Sequence, residues 1–168
     1  LNPIVLAADL KKPTPAPPRE VQPVNPDVHP VTQAAVRGGV LSCAGRVNQV
    51  MNFITSGSQS SALLFLPSSQ QDQRLFSVSL EWERQGDPTA YASATFAPNQ
   101  ANGCGGLYET VIYWDEPCEA LASRQFGSLK SAGVMGGSLT VLDGGVAMKI
   151  FLLPAGQGCI SIKKEVMQ

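Results

Sequence analysis

Histidine occurs once in the 168 residues, at His29, and charge is scarce: 12 Lys and Arg stand against 13 Asp and Glu, 15% of the chain, for a net charge of −1. A single imidazole followed by Pro30 leaves no Ser-His-Asp or Cys-His constellation unless the N-terminal segment delivers it, so His29 reads as a solvated linker residue. The even charge balance excludes a nucleic-acid binder that works through bulk positive charge. Long apolar runs are missing as well. The stretch Ala62–Leu66 is five residues long, against about 20 for a helix that crosses a bilayer. There is no G-x-S-x-G, no G-x-x-x-x-G-K-[ST] and no H-E-x-x-H. Ser161-Ile162-Lys163-Lys164 spells S-x-x-K, but in an extended segment positions three apart point to opposite faces, and the companion signatures S-D-N and K-T-G are absent.

What is present is distributed unevenly. Eight of the thirteen prolines fall in the first thirty residues, which hold no glycine and no aromatic. Lys12 to Pro18 favours polyproline II, because each ring fixes φ and removes a donor. Residues 1–30 therefore read as an extended arm and 31–168 as one globular domain. Within the arm, Leu1 to Ala8 is apolar and ends in small residues. It reads either as the tail of a secretory signal or as an apolar anchor strand.

From residue 31 the pattern is globular. Thr32 caps an expected long helix with apolar positions Val36, Val40, Cys43, Val47, Val50, Met51 and Ile54, ending at Ser56-Gly57-Ser58. Gly38-Gly39 weakens its first turns. Period-two segments follow: Ala62–Leu66, read as a buried strand, then Leu75–Glu83, Thr89–Ala97 and Leu107–Trp114. Asp115 is placed as the N-cap of a short helix reaching Phe126. Asp143-Gly144-Gly145 joins Ser138–Leu142 to Val146–Leu153 as a hairpin, and Cys159–Val166 is the last strand. The expected fold is α+β: a mainly antiparallel sheet of about seven strands, covered by one long N-terminal helix, with a short second helix.

The four cysteines, Cys43, Cys104, Cys118 and Cys159, form no C-x-x-C and have no histidine cluster beside them, which argues for disulfides over zinc. The glycine-rich stretch around Cys104 is expected to fold back on Cys118, closing a loop worth roughly 3 kcal/mol, and Cys43–Cys159 follows by elimination. Disulfides and the export-like start place the chain in the periplasm or outside the cell.

Candidate sites are few. Glu81 and Glu83 share a strand face about 7 Å apart, a separation glycosidases use, but their neighbours Ser77 and Ser79 mark that face as solvated surface. Asp115, Glu116 and Glu119 suit the positive end of a helix. Tyr113 and Trp114, adjacent in a strand, point to opposite faces. Trp114 and Tyr113 with Asn99, Gln100 and Asn102 are expected to form a contact surface braced by a disulfide. No catalytic residue, metal or cofactor is expected. The expected function is that of a non-enzymatic, exported protein-binding or assembly module tethered by its arm, with another envelope or secreted protein as partner and no nucleic acid. The alternative is a secreted or periplasmic inhibitor, or a small-ligand or glycan-binding domain using the Asn99–Gly106 loop and Trp114.

Overall fold

The computed structural model describes residues 27–167, so most of the expected arm lies outside the described residues. The single long helix is replaced by two short ones, α1 (Pro30–Arg37) and α2 (Ala44–Thr55). The break is at the glycine pair. Gly38 donates its N–H to the Ala34 carbonyl, and Gly39 adopts φ +96°, a left-handed geometry that a Cβ disfavours. Asp72 then accepts the N–H groups of Leu41 and Ser42, each at 2.6 Å, and the Ser42 hydroxyl at 2.8 Å. These bonds, the one from the Ser42 N–H foremost, hold its carboxyl below the ordinary carboxylate range.

Eight strands follow, one more than expected: β1 (Ser60–Phe65), β2 (Phe76–Arg84), β3 (Asp87–Asn99), β4 (Gly103–Trp114), β5 (Lys130–Met135), β6 (Leu139–Asp143), β7 (Met148–Ala155) and β8 (Gly158–Met167), with α3 (Cys118–Gln125) between β4 and β5. They form one antiparallel sheet in the order β1-β2-β3-β4-β8-β7-β6-β5. The last strand is thus laid beside β4 in the middle, and β1 and β5 are the two edges. α3 begins after Pro117, two residues later than Asp115.

Register puts all helix-facing residues on one side. Phe76, Val78, Leu80 and Trp82 oppose Phe96, Ala94, Ala92 and Ala90, and the row continues through Tyr108, Ile112 and Trp114. Under α1 and α2 this face is one core, in which Phe76 stacks on Phe96 at 5.2 Å and Met51 and Val47 are fully enclosed. Under α3 a second core gathers Trp114, Leu121, Leu142, Ile150, Leu152 and Cys159. The small alanines of β3 let the bulky β2 side chains and the helices approach closely.

The disulfides are Cys43–Cys104 and Cys118–Cys159, which overturns the expected pairing. The stretch taken for a flexible loop is strand: β4 starts at Gly103, so ten extended residues carry the chain about 34 Å from Cys104 to Trp114. A disulfide needs Cα atoms within about 7 Å, and Cys118 lies at the far end. Each bridge instead ties a helix start to the sheet inside its own core. No helix among the described residues is long and apolar enough to cross a membrane.

Candidate functional site

Strand β1 was read as buried, and this too is corrected. On β2 the helix-facing side chains are at most 7% exposed. On β1 their counterparts Ser60 and Leu64 are half-buried and Ala62 is exposed. The other side of β1 shows Leu63 at 68% and Phe65 at 56% exposure. Only β2 pairs with β1 in the described sheet, so its outer backbone N–H and C=O groups face outward along a strand, Ser-Ser-Ala-Leu-Leu-Phe, without charge or proline.

Beside this edge runs a groove of about 790 Å³. One wall is the start of α1 with Val28, His29, Val31 and Ala34; the other is β1 with the turn before it; Trp82 and Thr55 lie between them. α1 starts at the Ser60 end and runs alongside β1, since its C-terminal Gly38 sits against the Leu66 side chain. Glu81 and Glu83 mark the same end: Glu81 is the register partner of Ser61, and Glu83 lies just past Ser60. Both are exposed and, alternating with the buried, helix-facing Trp82, project from the other side of the sheet; among the described residues neither has an ion-pair or hydrogen-bond partner.

His29 is buried rather than solvated. Its Nδ1 accepts the Val31 N–H at 3.2 Å, capping α1, and its backbone N–H donates to Asn48 Oδ1 at 2.8 Å. Burial pushes the imidazole pKa down, because the charged form would lose its hydration.

The expected contact surface does not assemble. Asn99, Gln100 and Asn102 are exposed at the β3–β4 turn, where Asn99 Oδ1 accepts the Ala101 and Asn102 N–H groups at 2.9 Å. Trp114 is at the other end of β4, 5% exposed, with its indole N–H donated to Ser161 Oγ at 2.8 Å. The guanidiniums of Arg84 and Arg124 lie 5.8 and 5.5 Å from the indole centre, so Trp114 joins the β2–β3 turn to α3. Tyr113 is on the opposite face of the sheet, 48% exposed.

A second cleft of about 480 Å³ lies between the two helical covers, over Trp82, Ile112 and Trp114. Its cations are already engaged: Arg84 pairs with Asp87 at 3.1 Å and Lys163 with Glu165 at 2.7 Å. Lys163 also donates to Tyr108 Oη at 2.9 Å, and Tyr108 donates to Glu165. Burial works against the Lys163 charge, but bonds to Glu165 and Tyr108 outweigh it and hold its pKa above the ordinary value. Lys163 and Glu165 on β8 and Tyr108 on β4 thus tie the two central strands together. Glu116, one of the clustered acids, is committed to Arg124.

No family model, no curated protein and no solved structure matches this chain.

Proposed function

We propose that this chain is a non-enzymatic, exported protein-binding module that accepts an extended segment of a partner along β1. The observation that supports it is an uncharged edge strand whose helix-facing side is left partly uncovered by α1. A strand laid there would take up the outward backbone groups of β1, and alternate side chains would enter the groove or lie beside Leu63 and Phe65. The two disulfides are consistent with an oxidising compartment. The competing reading as an inhibitor or small-ligand binder needs Trp114 beside the Asn99–Gly106 segment, and the two stand at opposite ends of β4.

The test is a photo-crosslinking amino acid placed at position 63 and, separately, at position 134 on the opposite edge, both in the full chain in its native host. Adducts with a second protein at 63 and none at 134 are the expected result. No adduct at 63, or equal adducts at both, would overturn the proposal.

A further inference from the structure

Among the described residues the helices cover one side of the sheet only. On the other side the middle strands are apolar. Val111, Ile162 and Phe151 form one row across β4, β8 and β7, and Tyr113, Ile160 and Leu153 form the next. Tyr91 on β3 and Val141 on β6 extend the first row at its two ends. None of these side chains belongs to either core, and Tyr113, Tyr91 and Leu153 are 48%, 44% and 37% exposed. The uncovered side of an antiparallel sheet is ordinarily polar, as it is on β2, where Ser77, Ser79, Glu81 and Glu83 occupy it. A contiguous apolar patch on that side marks a surface that another layer covers.

The patch matches itself. β8 lies near the middle of the sheet, with β4, β3 and β2 on one side of it and β7, β6 and β5 on the other. At equal distances from β8 along a row, Val111 mirrors Phe151, Tyr113 mirrors Leu153 and Tyr91 mirrors Val141, apolar with apolar. In the next row Glu109 on β4 mirrors Lys149 on β7, acid with base. A two-fold axis along β8, between two sheets laid face to face, sets each position against its mirror in the second copy, as an isologous contact requires. The flanks agree. Lys130 on β5 mirrors Ser79 on β2, beside Glu81, and neither Lys130 nor Glu81 has an ion-pair partner among the described residues. Lys164, which falls on the axis, is held by its own Glu109 at 3.6 Å. Seven strands about 4.8 Å apart and three to four rows about 6.8 Å apart make a face of roughly 700–900 Å². A standard interface buries about 800 Å² per partner.

We infer that two copies of this chain pack these uncovered faces together about a two-fold axis along β8. The dimer then has four layers, with the helices outside and the two sheets about 10 Å apart within. The inference does not depend on the acceptor reading of β1. That strand is the fourth from β8 on its side, and only three strands lie on the other, so β1 has no counterpart and overhangs the dimer. Its edge stays free, and the dimer carries two such edges, one at each end.

Sedimentation of the purified full chain, and a photo-crosslinker placed at position 153, test this. A dimer is expected at about 50 μM, with a cross-link at dimer mass that joins position 153 to residues 107–114 of the second copy. Leu153→Lys should raise the dissociation constant at least about tenfold, and because the side chain is exposed the unfolding transition should stay where it is. Glu81→Lys should weaken the dimer about threefold, and adding Lys130→Glu should restore it. Both of those positions are exposed, so folding is not at stake. A monomer at that concentration, a cross-link into another segment, a dimer indifferent to Leu153→Lys, or failure of the charge exchange to rescue would overturn the inference. Capture of a different protein at position 153 in the native host, with the purified chain monomeric, would give the face to that partner and overturn it as well.

Discussion

Strand β1 closes one side of the sheet with Ser-Ser-Ala-Leu-Leu-Phe, and β5 closes the other with Lys-Ser-Ala-Gly-Val-Met. On β5 a lysine opens the strand, the pairing with β6 shifts register between Ser131 and Gly133, and Gly133 takes φ +123°. Charge and a bulge are the two common devices that keep an edge from pairing further. β1 has neither, and α1 leaves its groove side partly uncovered. The two edges of one sheet thus differ in the features that govern further pairing, and the acceptor reading of β1 rests on that difference.

Each edge hangs on its own half of the sheet, and the largest expected effects test whether the halves are as distinct as their cores. Trp114→Ala removes the indole that Arg84 and Arg124 flank and leaves Ser161 without its donor. A loss of about 3–5 kcal/mol is expected in denaturant unfolding; a loss below about 1 kcal/mol would return Trp114 to the surface role first expected of it.

Replacing either disulfide by an alanine pair should cost about 2–4 kcal/mol. Loss of Cys43–Cys104 should raise amide exchange mainly over α2 and β1–β3, and loss of Cys118–Cys159 mainly over α3 and β6–β8. Equal loosening of both halves by either change would break the comparison.

A smaller effect is tied to pH at the groove. The folded His29 pKa is lowered by burial, and its Nδ1 must stay unprotonated to cap α1. As pH falls the unfolded chain takes up the proton first. The contribution is therefore present above the ordinary histidine value and is lost as pH drops through it toward the lowered folded one. The Tm should fall between about pH 7.5 and pH 5.5, and His29→Asn, which keeps a capping acceptor, should flatten that fall. An unchanged slope would contradict the burial of His29.

The smallest effect on stability should come from Leu63→Lys. The side chain is exposed, so unfolding should move by no more than about 0.5 kcal/mol, while strand addition at β1, read by amide exchange, should drop. A large destabilisation would mean that Leu63 is core, and the edge no longer free.

How much of this was readable from sequence follows the range of the forces involved. The alternation from Phe76 to Trp82 and the Asp143-Gly144-Gly145 turn are local signals, and β2, β6 and β7 lie where those signals put them. Cysteine pairing depends on strand order, and nothing near Cys104 reveals that β4 carries it away from Cys118. An apolar run such as Ala62–Leu66 has the same composition in a central strand as in an edge strand, so β1 was misplaced. β5, with its glycine and no alternation, gave no strand signal. The helix break depended on Asp72, some thirty residues away, capturing Leu41 and Ser42. The groove had no signal of its own in the sequence, because it depends on the position of β1 at the rim, which strand order decides.

The most direct measurement is amide hydrogen exchange on the intact chain, read separately over residues 60–65 and 130–135. In the presence of the partner captured at position 63, the β1 amides should exchange at least about tenfold more slowly than without it, while those of β5 stay the same. Exchange at β1 that the partner leaves unchanged, or slowing of both edges alike, would contradict the account.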